Sequence, residues 1–173
     1  MRQRNWNQEN CSVARALGVL GDTWTLLILR EAFFGTRRFA DFEARLAISK
    51  NVLSQRLQHL VDHGVLEKID VGRHGPRFEY RLTHMGKDLT TVLTALRQWG
   101  DRWILGEGNE PLIVVDRATG EPIEPVRIRR SDGSPIGPRE LELRAGPGAS
   151  EETRERLEAY LEKRSAKTDR RKG

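Results

Sequence analysis

Short hydrogen-bonding side chains occupy one face of a predicted helix in the first half of the chain. They are Lys50, Asn51, Ser54, Gln55 and Gln58. An amide group can donate and accept hydrogen bonds at the edge of an adenine, and an ammonium group can bind a guanine edge or a phosphate. A helix that only faces solvent more often carries Glu and Lys in pairs. This face therefore favours binding to a polar partner such as a groove of DNA.

An apolar stripe and two end signals predict the helix that carries this face. The stripe consists of Leu53, Leu57, Leu60 and Val61. These positions recur at helical spacing, so the side of the helix opposite the polar face should be buried. Ser49 is a suitable N-cap, and Gly64 allows the left-handed backbone that ends many helices.

A shorter amphipathic segment precedes this helix and carries Phe39, Phe42 and Leu46 at helical spacing. Only residues 47–49 separate the two helices. Two helices joined by so short a turn predict a helix-turn-helix, in which the second helix enters the major groove of DNA.

A basic β-hairpin is predicted directly after Gly64. Residues 65–71 and 77–83 have strand-like composition, and the turn residues at 72–76 connect them. The tip of this hairpin carries cations and no acid, as a loop that contacts phosphates requires. The helix pair alone is equally compatible with a scaffold, whereas the basic hairpin that follows it favours a winged helix that binds DNA.

The predicted DNA-binding residues fall into groups by the chemistry of their side chains. Base edges are assigned to Lys50, Asn51, Ser54 and Gln55. Phosphates are assigned to Arg38, Arg56, Arg73 and Arg77. Ser49 and His74 complete the predicted DNA-binding set.

Several further motifs occur in one order between Cys11 and Trp103. They are LGDTWTLLIL at 20–29, Arg38-Phe39, PRFEYRLT at 76–83 and Gly86. In these motifs the chain resembles the DNA-binding domain of the HxlR-type transcriptional regulators, small bacterial winged helix-turn-helix proteins related to the MarR group. The family usually has proline where this chain has Ser12 and lysine where it has Thr23, and neither difference affects the expected fold. The resemblance implies a sequence-specific DNA-binding transcriptional regulator.

Two helices are predicted before the helix-turn-helix, and a longer one after the hairpin. The first helix is lined by Val13, Ala16, Leu17 and Leu20 and ends at Gly21. The second is lined by Trp24, Leu27, Ile28, Phe33 and Phe34 and is capped by Gly35. The helix after Thr83 has a heptad seam of Met85, Leu89, Val92, Leu96, Trp99 and Trp103.

This seam favours a homodimer. A single amphipathic helix more often packs on its own domain, but Leu82, Leu93 and Ile104 are predicted to supply that contact. The resemblance also implies a dimer, with the N-terminal and post-hairpin helices of both subunits packed together. A twofold dimer would bind a palindromic operator on double-stranded DNA. Because a dimer bound at a promoter blocks polymerase, we expect repression rather than activation.

Cys11 is the only cysteine, so no internal disulfide can form. A lone cysteine is usually a small buried hydrophobe, but Cys11 stands at the start of a predicted helix, where the helix dipole and nearby arginines stabilise a thiolate. Some members of the family that the chain resembles use a cysteine at this position to sense quinones, aldehydes or oxidants. Cys11 is therefore a candidate redox sensor, and a small-molecule effector is a further expectation.

No catalytic, metal or cofactor site is predicted. His59 and His63 are four residues apart, but no third ligand stands at a regular spacing. The motifs GxGxxG, GxxxxGK[ST], HExxH and GxSxG are all absent. We therefore expect no enzyme. The alternatives are a winged-helix protein-interaction module without sequence-specific DNA binding and, more remotely, an enzyme on a vestigial DNA-binding fold.

The composition agrees with a nucleic-acid partner. Lys and Arg number 30 against 25 Asp and Glu, and the pI is about 9.8. This excess is a mild bias towards a polyanion. No apolar run approaches the ~20 residues that span a bilayer, and the N-terminus lacks the apolar core of a signal peptide, so we expect a cytoplasmic protein that does not bind membranes.

The composition changes after Gly106, where prolines and glycines recur. Short β-prone runs at 112–115, 126–128 and 141–143 alternate with turns at 119–120 and 131–134. The spacing of these turns resembles the zinc-ribbon tail of related regulators, but no cysteine occupies them. From Ser150 a helix carries Leu157, Tyr160 and Leu161, and the charged tail from Arg164 is predicted to be disordered.

We therefore expect an α+β fold with three parts. A winged helix-turn-helix domain with flanking dimerisation helices occupies residues 1–106. A small, mostly β appendage, similar to a degenerate ribbon, occupies residues 107–149. A terminal helix and basic tail occupy residues 150–173.

Overall fold

The computed structural model of the protein describes residues 8–169. The chain forms two compact units. The winged-helix unit is Ala16–Val126, and the terminal unit combines the residues up to Arg15 with those from Arg127 onward. All the predicted DNA-binding residues lie in the winged-helix unit. The division of roles at residues 106 and 149 stays a prediction.

The first two helices form as the sequence predicts. Helix α1 is Ser12–Leu20, and α2 is Thr23–Phe33. A Cβ on Gly21 would lie 2.5 Å from the Leu17 carbonyl oxygen, so the tight turn between the helices requires glycine. The carboxylate of Asp22 caps α2, because it accepts a hydrogen bond from the Trp24 N–H at 2.9 Å.

The helix-turn-helix is also present. Helix α3 is Phe39–Leu46, and α4 is Lys50–Asp62. Ala47 has a φ of +49°, which places the turn between these helices in the left-handed region that a non-glycine residue adopts at some cost. The Ser49 hydroxyl accepts a hydrogen bond from the Val52 N–H at 3.4 Å, which confirms the predicted N-cap of α4.

An antiparallel hairpin follows α4. Strand β1 is Leu66–Asp70, and β2 is Phe78–Leu82. Leu66 pairs with Leu82, and Asp70 pairs with Phe78. Each strand is one residue shorter at each end than the sequence pattern predicts, because the flanking residues serve as caps and turn residues.

Helix α5, His84–Gly100, starts from the Thr83 hydroxyl, which accepts a hydrogen bond from the Gly86 N–H at 3.1 Å. Gly86 packs so closely on the hairpin that a Cβ would lie 2.2 Å from the Val65 carbonyl oxygen. The helix continues into a π-helical turn at Asp101–Leu105.

The core of the winged-helix unit lies between α2, α3, α4 and the hairpin. Its fully buried apolar side chains are Ile28, Leu29, Phe42, Leu53, Leu57, Leu60 and Leu66. Three members of the predicted α4 stripe are among them, and Val61 packs against the same core while partly exposed. Burial of this stripe leaves the opposite side of α4 in solvent.

The seam of α5 is largely exposed. Trp99 is 56% exposed and Trp103 is 66% exposed. Leu82 and Leu93 pack against the core as predicted. Ile104 does not, since it is 71% exposed. The prediction for Ile104 is wrong because a π-helical turn has more residues per turn than an α-helix, so the periodicity that would aim Ile104 at the core no longer applies.

The segment after α5 contains two turns that are closed by a β-bridge, one in each unit. In the winged-helix unit, Val115 and Pro122 form an isolated bridge around the turn at Gly120. In the terminal unit, Arg129 and Pro135 form another around Gly133. Both predicted turns are present, but each is closed by a single bridge and not by regular strands. A 3₁₀ turn, Pro138–Glu140, follows the second.

Helix α6, Glu151–Asp169, belongs to the terminal unit. Asn10 stabilises the start of α6. The Asn10 Oδ1 accepts hydrogen bonds from the Ser150 N–H at 2.9 Å and from the Thr153 hydroxyl at 2.8 Å. The predicted tail is helical as far as Asp169, so the expectation of disorder from Arg164 is wrong over that stretch. The rest of the predicted tail, 170–173, lies outside the described residues.

Among the described residues, no single helix is both long and apolar enough to cross a bilayer. The pair α1 and α2 reaches the required length and composition only when the two are taken together, and they are bent by 75°.

Candidate nucleic-acid interface

The first turns of α4 present unpaired polar side chains to solvent. Lys50, Asn51, Ser54 and Gln55 are all exposed. Within the part of the chain that the structure describes, none of these side chains has a hydrogen bond or ion pair. Their donors and acceptors are therefore available to a partner, and they lie in the N-terminal part of the second helix, where a recognition helix contacts bases.

Gln58 differs from the other residues of this polar face. Its side-chain amide donates a hydrogen bond of 2.7 Å to the Asp62 carboxylate, one turn further along α4. Because Gln58 is engaged and Asp62 adds a negative charge, the second half of α4 is less suited to contact DNA. The usable surface is the part of the helix before Gln58.

Arg56 lies on the other side of α4 from Ser54, because residues two apart do not share a helix face. Its guanidinium forms an ion pair with Asp22 at 3.0 Å, and its Nε is buried without a partner among the described residues. Arg56 therefore joins α4 to the start of α2. The sequence assigned Arg56 to a phosphate, and that assignment stays a prediction; in the structure its guanidinium also pairs with Asp22.

The loop between the strands, residues 71–77, is held in shape by Asp70. The Asp70 carboxylate accepts hydrogen bonds of 2.9 Å from the N–H groups of both Arg77 and Gly72. These bonds hold the pKa of Asp70 below its ordinary value. Gly72 has no room for a side chain, since a Cβ would lie 1.8 Å from the Gly75 carbonyl oxygen. We call residues 71–77 the wing loop.

The predicted DNA-binding side chains of the wing loop are exposed. Arg73, His74 and Arg77 all face solvent. Their side chains have no hydrogen bond or ion pair with any residue between 8 and 169 for which such contacts are described. A backbone loop fixed by Asp70 thus carries cationic side chains that are free to reach phosphates.

A second basic cluster lies beside β2. The Tyr80 N–H donates to the Arg37 carbonyl at 2.8 Å, which holds the segment before α3 against the hairpin. The Glu79 carboxylate accepts hydrogen bonds from Arg81 at 3.0 and 3.2 Å. Arg81, with the charges of Arg37 and Arg38, lowers the pKa of Glu79. Arg38 was predicted as a phosphate contact, and the structure adds its exposed neighbour Arg37.

A further cation on the hairpin was missed by the sequence analysis. The ammonium of Lys68 lies 4.3 Å from the centre of the Phe78 ring. This cation–π contact holds the charge of Lys68 on the exposed face of the hairpin. Lys68 is two residues from buried Leu66, so strand alternation would have placed it on the buried face and offered no signal for its exposure.

The structure therefore contains the elements of a winged-helix DNA-binding domain. Comparison with known proteins identifies the family. The family model described as HxlR-like helix-turn-helix matches residues 19–107. The chain belongs to this family. The sequence-based resemblance and the fold class that it implied are confirmed.

Individual relatives agree with the family. An uncharacterized HTH-type transcriptional regulator of Mycobacterium tuberculosis is 40% identical over 140 residues, which cover 81% of this chain and 89% of the relative. The crystal structure of PA1607, described as a candidate transcription factor, matches with a TM-score of 0.76 at 37% identity, over 83% of this chain and 100% of that one. The redox regulator HypR in its reduced form matches with a TM-score of 0.50 at 26% identity, over 55% of this chain and 97% of that one. This HxlR-like protein is a DNA-binding transcriptional regulator with a helix-turn-helix domain.

Cys11 of this HxlR-like chain is exposed, and its thiol is free. Its carbonyl accepts a hydrogen bond from the Arg15 N–H at 3.0 Å, so Cys11 occupies the N-cap position of α1. The guanidinium of Arg15 donates to the Glu9 carbonyl at 2.7 Å. The other nearby arginines, Arg2 and Arg4, lie outside the described residues.

The histidines of α4 contact backbone oxygens. The Nε2 of His59 lies 3.2 Å from the Val19 carbonyl, and the Nδ1 of His63 lies 2.8 Å from the His59 carbonyl. Within residues 8–169, no group of three or more His, Cys, Asp or Glu side chains is placed to hold a metal ion. These histidines therefore help to position α4.

Proposed function

We propose that the protein is a homodimeric repressor that binds a palindromic operator with α4 and the wing loop of each subunit. The observation that carries this proposal is the free polar face of Lys50, Asn51, Ser54 and Gln55, which is exposed although the leucines on the other side of α4 are fully buried. Unpaired amide, hydroxyl and ammonium groups are the groups that distinguish bases in the major groove.

The phosphate contacts in this proposal come from exposed arginines of the wing loop and of the start of α3. Arg73 and Arg77 would bind the backbone from the wing loop, with His74 beside them. Arg38 would bind from the start of α3, where the helix dipole also favours an anion. Ser49 would contribute through its position at the start of α4. Arg56 would contribute indirectly by fixing the position of α4.

The dimer in this proposal uses apolar side chains that are exposed in a single subunit. On α5 these are Met85, Val92, Leu96 and Trp99, with Trp103 on the π-helical turn that follows, and on α1 they are Val13 and Leu17. Large apolar side chains that are exposed in a single subunit are typical of a protein interface. A second copy of the chain is the occupant that the heptad spacing on α5 favours.

A dimer would supply affinity that one subunit lacks. A single basic module binds DNA nonspecifically with a Kd of about 10⁻⁴ to 10⁻⁶ M at physiological salt. Once one subunit is docked, the other binds at an effective concentration in the millimolar range. Occupancy of a promoter by such a dimer blocks polymerase without a further partner, which favours repression. Because the partner is DNA, we expect the protein to act in the cytoplasm.

Binding-site selection from random double-stranded DNA tests this proposal. We expect enrichment of a palindrome whose half-sites lie about one helical turn, ~34 Å, apart. The mass of the protein in solution, measured by light scattering, should be that of a dimer. If no sequence is enriched, the protein would instead be a winged-helix protein-interaction module.

A response to thiol-reactive signals is a second part of the proposal. Cys11 is exposed at the start of α1, and the structural neighbour HypR is named as a redox regulator. Exposed cysteine side chains react with oxidants and quinones. Oxidation could therefore join the Cys11 residues of two subunits and change the affinity for DNA.

A further inference from the structure

An apolar cavity of about 450 Å³ lies between α2 and α5 within the winged-helix unit. Leu27 and Phe33 line it from α2, and Leu93 and Thr94 line it from α5. Its volume lies in the range of small-molecule sites, which is about 300–1,000 Å³. The residues proposed to contact DNA do not line this cavity, so it is a separate site.

One wall of the cavity comes from beyond the part of the chain that the family model matches. Val114 lines it and lies after residue 107. The Ile123 N–H donates to the Val114 carbonyl at 3.0 Å, and the Val126 N–H donates to the side chain of Gln98 on α5 at 2.8 Å. These bonds hold the segment against α5, which gives residues 107–126 a structural role in closing a cavity.

The charged side chains that line the cavity are all basic. Arg30 and Arg97 line it, and no Asp or Glu does. Arg30 is paired with Glu31 at 2.8 Å. Arg97 is partly buried and has no hydrogen bond or ion pair with any residue that the structure describes. A partly buried cation without a counter-ion beside an apolar surface favours an anionic ligand, since such a ligand would replace the water that Arg97 loses.

We propose that this cavity binds a small apolar anion, such as an aromatic carboxylate or sulfonate. The apolar body contacts Leu27, Phe33 and Leu93, and the anionic group pairs with Arg97. Thr94 precedes Arg97 by about one helical turn on α5, so the two side chains share a helix face. The Thr94 hydroxyl can therefore donate a further hydrogen bond to the anionic group.

The use of this site by an effector rests on the regulator function proposed above. Leu96 lines the cavity and also belongs to the exposed seam of α5. Helix α2, which forms the opposite wall, is joined to α4 through the pair of Asp22 and Arg56. A ligand in the cavity therefore contacts both the proposed dimer helix and the helix that supports the DNA-binding helix.

A pair of fluorescent probes tests the charge requirement on the full chain without DNA. 8-Anilinonaphthalene-1-sulfonate is an aromatic anion, and N-phenyl-1-naphthylamine has the same ring system without the sulfonate. We expect Arg97→Gln to weaken binding of the anionic probe about tenfold, the usual effect of losing a charge-assisted hydrogen bond. Binding of the neutral probe should change less than twofold. Arg97→Lys should restore most of the affinity for the anion.

Control variants separate the site from general effects. Arg117→Gln removes an exposed arginine that does not line the cavity, so it should leave both probes unaffected. Thr94→Trp should fill the cavity and abolish binding of both probes while the helical circular dichroism is retained. The proposal is overturned if Arg97→Gln affects both probes equally, or if probe binding weakens as the protein concentration is raised, which would assign the cavity to a second copy of the chain.

A DNA-binding measurement on the same samples distinguishes this inference from the regulator function. Anion binding by a protein that fails to select DNA would leave the cavity assignment intact and remove its effector role. Sequence-specific DNA binding by a protein that fails to bind the anionic probe would overturn only the cavity assignment.

Discussion

The guanidinium of Arg56 lies 3.0 Å from the carboxylate of Asp22, and this pair joins α4 to the start of α2. Asp22 also caps α2 through the Trp24 N–H. One carboxylate therefore caps the start of α2 and joins it to α4, the helix that we propose binds DNA. Correct placement of the free polar face on α4 depends on a residue that itself lies outside that face.

The double role of Asp22 can be separated by two substitutions. Asp22→Ala removes both the cap and the ion pair, and we expect it to lower the free energy of unfolding by about 1–2 kcal/mol. Asp22→Asn keeps a capping oxygen and removes the charge, so its effect on stability should be under about 1 kcal/mol. Urea denaturation followed by circular dichroism measures both. Equal losses for the two variants would show that the cap contributes nothing.

The division between base and phosphate contacts predicts different effects for Gln55→Ala and Arg73→Ala. Gln55→Ala should change the preferred operator sequence, because it removes an amide that can contact a base edge. Arg73→Ala should weaken binding to all sequences and flatten the dependence of log Kd on log salt concentration by ~1 unit. Fluorescence anisotropy against a series of operator variants checks both. Identical profiles for the two variants would contradict the division.

Local signals were sufficient to predict much of this fold. The cap at Ser49, the apolar stripe of α4 and the turn glycines all act within a few residues of one another, so sequence spacing predicts them. The partner of Arg56 could not be predicted, because Asp22 is distant in sequence and meets Arg56 only after α2 and α4 pack. Ile104 was misplaced because a π-helical turn has no periodicity signal that distinguishes it from an α-helix.

Longer-range properties of the chain were predicted less well. Helix α6 extends to Asp169 although its second half is highly charged, since charge alone does not prevent helix formation. The cavity beside Arg97 was not predicted, because it requires α2, α5 and residues around Val114 to meet. The candidate DNA-binding residues were identifiable because their side-chain types occur on one face of one helix.

The wing loop should lose order at acidic pH. The backbone hydrogen bonds from Arg77 and Gly72 hold the pKa of Asp70 below its unfolded value of about 3.9. The stabilisation by the carboxylate is therefore complete above that unfolded value and is lost as the pH falls through the lower folded value. Amide hydrogen exchange of Gly72 and Arg77, followed by NMR between pH 6 and pH values of about 3, measures this loss.

Asp70→Asn is the matched variant for the wing loop. It should make amide exchange at Gly72 and Arg77 faster at neutral pH. It should also remove most of the change in protection that the wild-type loop shows as the pH falls. The same acid-dependent increase in both proteins would contradict a role for Asp70. Glu79→Gln serves as the control, because Glu79 bonds to the side chain of Arg81 and not to the loop backbone.

The proposed dimer predicts that Trp99→Glu yields a monomer. Trp99 is exposed in a single subunit and lies in the heptad seam of α5, so a buried carboxylate there would oppose association of two copies. Light scattering coupled to size exclusion measures the mass. Ile113→Glu changes a similarly exposed apolar side chain outside the seam and should leave the mass unchanged. A dimer that survives Trp99→Glu would place the interface elsewhere.

The position of Cys11 predicts a covalent dimer under oxidation. Because Cys11 is exposed and is the only cysteine, any disulfide that forms must join two chains. Treatment with diamide should produce a band of twice the monomer mass on a non-reducing gel, and dithiothreitol should reverse it. Cys11→Ser should remain monomeric on the same gel and should bind the operator equally well with and without diamide. If wild-type protein keeps its DNA affinity after complete cross-linking, the disulfide forms but has no regulatory effect, because the oxidised dimer would then hold both copies of α4 as the reduced dimer does.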